Sequence, residues 1–184
     1  MGQERQFRLR LDPIHSGYGW LYLFAGDRCL TDYLYRGRQL SGFCSAADIR
    51  RWMSAHLPDF LRDDPVPAQT AGSTAAEMWF SGGGWLPCTL PPEGTDPALT
   101  AWLDRHALCT CNAQYCLPQL FFRSTEAGVE ISWQNRPFRL AEVQFLYESG
   151  SIVIDRPYFE AAVTCFLEEC SALIWHTKNW LPFC

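Results

Sequence analysis

The 184-residue sequence is poor in lysine, and its basic residues do not cluster. Lys178 is the only lysine among 15 basic residues, and 20 acidic residues bring the formal net charge to −5. Nucleic-acid-binding proteins need grouped lysine and arginine side chains to contact phosphates. The composition therefore argues against a nucleic-acid partner, and it favours either a cationic partner or simple solubility.

Signals for export and for membrane insertion are also missing. The first five residues include three polar side chains and no apolar segment follows them, so we expect no signal peptide. No run of about 18 apolar residues, the length that spans a bilayer, occurs in the chain. These absences predict a cytoplasmic protein without membrane association. In that compartment we expect the nine cysteines to be mostly reduced.

The sequence contains none of the common catalytic or cofactor-binding motifs. It has no G-x-S-x-G, no H-E-x-x-H and no glycine-rich dinucleotide fingerprint. The adjacent carboxylates at 63–64 and 168–169 have the pattern of a solvated loop and a solvated helix face. We therefore expect a protein that is not an enzyme, with no catalytic residue and no cofactor.

What the sequence does contain is enough apolar material for one domain over residues 1–184, with 48% hydrophobic and 15% aromatic residues. Apolar alternation and short apolar runs predict strands at 7–11, 20–24, 30–35, 77–80, 119–123, 129–133 and 151–154. The strand at 20–24 is apolar throughout, which indicates cover on both faces. Hairpin turns are expected at 25–28 and 125–128.

Three helix starts are marked by capping residues. Ser45 with Asp48 begins a helix that we expect to end before Pro58, and Asp96 begins a second that runs to His106. Asp155 begins a long third helix, whose buried stripe is predicted to consist of Phe159, Val163, Phe166 and Cys170. The predicted fold is α+β, with a mixed, mainly antiparallel sheet flanked by two or three helices.

Three of the nine cysteines lie close together as Cys109-x-Cys111-x4-Cys116. With His106 they would supply the Cys3His set that tetrahedral zinc accepts. Against this, Cys-x-Cys is less usual in structural zinc sites than Cys-x2-Cys, and no second cysteine pair lies nearby in the sequence. The other interpretation is a tight, reduced turn between a helix and a strand pair. A zinc-stabilised structural or regulatory adaptor is thus the alternative function.

Several features follow one another between Leu108 and Cys170. The C-x-C-x4-C turn precedes two strands, the second of which ends in Trp133, and a later strand continues through Asp155-Arg156-Pro157-Tyr158 into the last helix. This order resembles a widespread group of small bacterial proteins of no known activity. The chain departs from that group at 112–115, where Asn-Ala-Gln-Tyr replaces glycine-containing turns.

An acidic single domain without signal or catalytic motif also resembles the cytosolic immunity proteins of bacterial toxins, such as those paired with type VI secretion effectors. The resemblance implies a protein that binds and inhibits a cognate antibacterial toxin, with a nuclease as the expected case, by occluding its active cleft. An acidic surface would be steered toward a basic cleft. The expected partner-binding residues, chosen from loop position and composition, are Asp63, Asp64, Glu77, Trp79 and Trp85.

Overall fold

The computed structural model describes residues 7–15, 17–67, 71–82, 84, 91–111, 115–136 and 142–179, except the side chains of 176–179. The strands among them are β1 (Phe7–His15), β2 (Tyr18–Ala25), β3 (Arg28–Cys29), β4 (Tyr33–Tyr35), β5 (Arg38–Leu40), β6 (Gly42–Ser45), β7 (Leu120–Thr125), β8 (Gly128–Gln134), β9 (Val143–Phe145) and β10 (Ser149–Ile154). The helices are α1 (Ala46–Leu61), α2 (Ala75–Ser81), α3 (Pro97–His106) and α4 (Arg156–Asn179), with a 3₁₀ turn at Leu108–Cys111. The predicted α+β class is confirmed.

The described strands form three sheets, and every pairing among them is antiparallel. In the first sheet β2 is central and pairs with β1 on one edge and with β6 and β3 on the other. The second sheet has the order β10-β8-β7, and the third has the order β5-β4-β9. The predicted single mixed sheet is therefore replaced by three antiparallel ones.

The layers of the fold are joined by aromatic side chains. Phe7 in β1 stacks on Phe159 in α4 with 5.0 Å between ring centroids. The ring centroid of Phe159 also lies 6.0 Å from that of Phe122 in β7. Helix α4 therefore lies between the first and second sheets. The neighbouring Phe121 points to the other face of β7, where its ring centroid lies 6.3 Å from that of Trp102 in α3. Helices therefore cover both faces of the second sheet, while the outer face of the first sheet is partly exposed.

The capping predictions are confirmed at all three helix starts. Ser45 Oγ accepts a hydrogen bond from the Asp48 N–H, and Asp96 Oδ1 accepts one from the Ala98 N–H at 2.8 Å. Asp155 Oδ1 accepts one from a backbone N–H in the first turn of α4. The predicted stripe of α4, which comprises Phe159, Val163, Phe166 and Cys170, is buried. Neither α4 nor any other helix of the described residues has the length and hydropathy needed to cross a membrane.

The sequence predicted that helix α1 ends before Pro58. The helix instead continues through Pro58 to Leu61. A proline inside a helix costs about 3 kcal/mol, so the last turn needs compensating contacts. Phe60 supplies them by packing in the core, and the buried Asp59 carboxylate contacts both His56 and Arg62. Tertiary packing therefore outweighs the local preference of proline.

Residues 77–80 are not a strand, because they lie in α2. Thr74 and Glu77 form a capping box: Thr74 Oγ1 accepts from the Glu77 N–H, and the Glu77 carboxylate accepts from the Thr74 N–H. The sequence contains this signal as Thr-x-x-Glu, but the apolar run that follows is too short to show a helical period. Because α2 was predicted as a strand, two or three helices were expected, whereas the described residues contain four.

The predicted strand at 30–35 does not return along β2. β2 pairs with β6 at one end and with β3 at the other. Between these two segments, side-chain hydroxyls form hydrogen bonds with the backbone of Leu21 and Leu23. Thr31 Oγ1 accepts from the Leu23 N–H and donates to the Leu21 carbonyl at 2.7 Å, and Ser41 Oγ also donates to Leu21 at 2.9 Å. Because these side chains bond the backbone of β2, residues 33–35 do not need to pair with it, and they form β4 of the third sheet.

Strand β1 is longer than predicted, because it continues through Pro13 to His15. Pro13 lies opposite Gly19 in β2. β1 is an edge strand of the described sheet, the position in which the missing N–H of proline is tolerated. The extension lengthens the antiparallel pair on which the outer face of the first sheet is built.

Candidate protein-binding face

Five aromatic side chains lie on the outer face of the first sheet. Side chains alternate along β2, so Leu21 and Leu23 point into the core while the aromatic residues between them point outward and remain partly exposed. The expectation that this strand is covered on both faces is wrong. We call the set the aromatic face, and it consists of Tyr18, Trp20, Tyr22 and Phe24 in β2 and Phe43 in β6.

The rings of the aromatic face contact one another across the strands. Phe43 stacks on Tyr18 with 5.6 Å between centroids and meets Trp20 edge-on at 5.4 Å. Farther along β2, Tyr22 and Phe24 lie parallel at 6.3 Å. These contacts follow the strand register, which sets Phe43 opposite Trp20. The rings are thus held in place before any partner binds, which reduces the entropy lost on binding.

Two arginines of β1 lie over these rings. Arg8 Cζ is 4.7 Å from the centroid of Phe24, and Arg10 Cζ is 4.7 Å from that of Tyr22. Both arginines are exposed, and Arg10 also donates a hydrogen bond to Asp12 at 2.9 Å. Cation–π contacts at exposed sites contribute about 0.5–1 kcal/mol. Exposed Trp, Tyr and Arg side chains in one patch are typical of the residues that dominate binding energy at protein interfaces.

A groove of about 340 Å³ lies beside the aromatic face, between β2 and β5. Its lining consists of Trp20, Tyr22, Asp32, Gln39, Leu40 and Ser41. The Gln39 amide donates a hydrogen bond to Asp32 Oδ2 at 2.9 Å, which fixes the carboxylate at the groove. Burial raises the pKa of Tyr22, and the Asp12 and Asp32 carboxylates raise it further, against the opposing effect of Arg10. The Tyr22 hydroxyl is therefore kept in its neutral form.

The predicted acidic residues of the loop after α1 have different surroundings. Asp63 is exposed and lines a cavity of about 580 Å³ that also contains Glu126, Arg123 and Arg156. Asp64, in contrast, is partly buried and is bound by Arg105 and His106. Asp63 remains accessible to a partner, whereas the Asp64 carboxylate is engaged within the protein.

Of the other three predicted partner-binding residues, the structure describes Glu77 and Trp79. Glu77 is exposed, but its carboxylate accepts hydrogen bonds from the Ser73 N–H and hydroxyl at 2.9 Å, and these bonds lower its pKa. Trp79 is only 1% exposed and packs against Trp102 in the core, so its prediction as a surface anchor is wrong. Trp85 lies outside the described residues.

The candidate zinc ligands are not gathered around one point. His106 is completely buried, with Nε2 2.8 Å from Asp64 Oδ2 and Nδ1 2.7 Å from the Phe122 carbonyl oxygen, so both ring nitrogens are engaged within the protein. Cys109 is buried near Gln119. Cys111 packs on the main core, and Cys116 packs beside Tyr33 and Phe145. Among the described residues, no group of three or more His, Cys, Asp or Glu side chains is arranged to hold a metal ion.

Sequence reasoning missed the aromatic face, although the sequence contains a signal for it. Residues 20–24 read Trp-Leu-Tyr-Leu-Phe, in which leucines alternate with aromatics. Residues 7–11 alternate in the same period, with Arg8 and Arg10 between apolar residues. When aliphatic and aromatic side chains alternate along a strand, they lie on opposite faces of the sheet. The pattern therefore indicates two different surroundings even though every residue is apolar.

Comparison of the chain with protein-family models, with curated proteins and with solved structures finds no match. We therefore infer function from the geometry of the described residues and from composition. Together the fold and the aromatic face describe an α+β protein with an ordered, partly exposed aromatic surface.

Proposed function

We propose that the protein is a non-enzymatic immunity protein, which inhibits a cognate antibacterial toxin by binding over its active cleft. The observation that carries the binding role is the aromatic face with its two stacked arginines. Single exposed apolar residues are common on soluble proteins, but contiguous apolar patches indicate an interaction site. The aromatic face supplies several rigid rings of the kind that anchor interfaces.

The proposed toxin is a nuclease, and this part of the proposal is supported by charge. With a formal net charge of −5, the chain would be attracted to a protein whose cleft is basic because it binds nucleic acid. Attraction of this kind raises the rate of association and selects against acidic partners. Exposed acids such as Asp63 would lie around the contact, where they would affect association more than final affinity.

Binding to the product of the adjacent gene tests this proposal. The two proteins are co-expressed and purified, and the dissociation constant is measured by calorimetry. We expect a complex, and we expect Trp20→Ala to weaken it by about 30-fold, because central aromatic anchors contribute about 2 kcal/mol or more. The control is Tyr35→Ala, since Tyr35 is another aromatic side chain on the surface but belongs to β4 and not to the aromatic face.

Two results would contradict the proposal. The first is that the product of the adjacent gene neither binds the protein nor loses its toxicity when the protein is co-expressed. The second is that Trp20→Ala and Tyr35→Ala have equal effects on binding, which would remove the aromatic face from the interface. Circular dichroism of both variants shows whether any loss of binding is a loss of folding.

A further inference from the structure

We infer that the groove between β2 and β5 receives a basic side chain, lysine or arginine, from the protein partner. The inference rests on the proposed function, since it assigns the chemistry of one contact within the proposed interface. The groove adjoins the aromatic face because Trp20 and Tyr22 belong to both. A residue inserted there would enter beside the anchors that hold the rest of the partner.

The aromatic wall of the groove suits a cation. Trp20 and Tyr22 alternate with buried leucines on β2, so their rings stand side by side on the same face of the strand. Trp and Tyr attract ammonium and guanidinium groups through the negative faces of their rings. Their apolar surface would also pack against the methylene stem of lysine or arginine.

Asp32 supplies the counter-charge. Its carboxylate is partly buried, is held by Gln39, and makes no ion pair with another described residue. On the opposite side of Tyr22, Arg10 lies over the ring and is paired with Asp12, an acid of its own strand. A basic side chain in the groove would therefore find a carboxylate available to it.

Other occupants fit this chemistry less well. A nucleic-acid strand would stack bases on the rings but bring its phosphates toward Asp12 and Asp32. An uncharged apolar side chain would use the aromatic wall and leave the Asp32 carboxylate partly desolvated without a counter-ion, which is unfavourable. The combination of ring faces with a positioned carboxylate selects a cation.

Titration with single amino-acid derivatives tests the groove without a protein partner. The probes are Nα-acetyl-lysine methylamide and Nα-acetyl-arginine methylamide, with Nα-acetyl-norleucine methylamide as the uncharged control. Binding is followed by NMR through the indole N–H signal of Trp20, which is identified by its loss in Trp20→Phe. We expect saturable shifts with the two cationic probes, and we expect Asp32→Asn to weaken their binding by about fivefold, as for an exposed ion pair.

The matched control is Asp27→Asn, because Asp27 is an exposed carboxylate in the turn between β2 and β3 and does not line the groove. It should leave probe binding unchanged. Equal binding of the norleucine probe, or equal effects of the two aspartate variants, would overturn the inference. If the probes fail while the co-expressed partner still depends on Trp20, only the groove assignment fails. If the probes bind but the adjacent gene product does not, only the proposed function fails.

Discussion

Asp64 shows how one side chain ties a loop to the core. Its Oδ2 accepts hydrogen bonds from Arg105 and from His106, both at 2.8 Å, and its backbone carbonyl accepts one from the Trp102 indole at 3.0 Å. His106 faces an acceptor at each ring nitrogen, since a carbonyl and a carboxylate do not donate. The loop that contains Asp64 is therefore bound to three residues of α3.

We expect Asp64→Asn to lower the free energy of unfolding by about 2 kcal/mol at pH 7, because the substitution removes the ion pair with Arg105 and weakens the hydrogen bond with the buried His106. Burial by itself would raise the pKa of Asp64, but hydrogen bonds from His106 and Arg105 outweigh it, and the pKa is lowered. The folded-state pKa is thus below the unfolded value of about 3.9. The stabilisation is present above that value and is lost as pH falls through the folded-state pKa.

Urea unfolding at pH 7 and at several lower pH values measures the effect. The difference between wild type and Asp64→Asn should shrink as the solution becomes acidic. Asp63→Asn is the control, because Asp63 is the exposed neighbour, and it should change stability by less than about 0.5 kcal/mol. A difference that stays constant with pH would show that Asp64 does not act through its charge.

At the scale of elements, helix α2 is attached to the second sheet through its N-terminus. Glu130 Oε1 in β8 accepts from the Ala75 N–H at 2.7 Å, and Ser132 Oγ accepts from the Ala76 N–H at 3.1 Å. The other oxygen of Glu130 is paired with Arg123. Two side chains of one strand therefore satisfy N–H groups that the helix itself leaves without partners.

We expect Glu130→Gln to destabilise the protein by about 2–3 kcal/mol, since it removes the carboxylate from a buried ion pair. Glu126→Gln is the matched control, because Glu126 is exposed in the turn that joins β7 to β8, and it should have almost no effect. Chemical denaturation measures the global change. Amide hydrogen exchange measures whether α2 opens first, and unaltered exchange in α2 would contradict its attachment through Glu130.

At the scale of the whole molecule, the cysteines report how closed the core is. Cys44 and Cys170 are buried free thiols, whereas Cys165 is an exposed free thiol on α4. Burial, with a smaller contribution from Glu169, raises the pKa of Cys170 to about 12, and burial raises that of Cys44 as well. Burial restricts access of reagents to these two thiols, and the raised pKa keeps them protonated, so little reactive thiolate forms at pH 8.

We expect iodoacetamide at pH 8 to label Cys165 in the folded protein and to label Cys44 and Cys170 only after unfolding. Mass spectrometry of proteolytic peptides, sampled over time, gives the rate at each site. Because Cys44 and Cys170 lie in the main core, their labelling should require opening of a large part of the structure and should accelerate sharply in urea. Equal rates at Cys165 and Cys170 without denaturant would show that the core is open.

The sequence by itself determined the features whose causes are local. Ser45, Asp96 and Asp155 cap helices because a side-chain oxygen reaches an N–H two or three residues away, whatever the rest of the chain does. The hairpin of β7 and β8 was predictable because two apolar runs are separated by a turn ending in glycine. The buried stripe of α4 followed from helical spacing alone.

Tertiary structure alone decided which apolar segments face solvent and which polar groups are enclosed. Local sequence does not distinguish Trp79, which packs in the core, from Trp20, which is partly exposed, because both lie in short aromatic runs. Whether such a residue is buried depends on which layer packs against it. The continuation of α1 past Pro58 and the pairing of Asp64 with His106 have the same origin, since both depend on contacts between residues far apart in the chain.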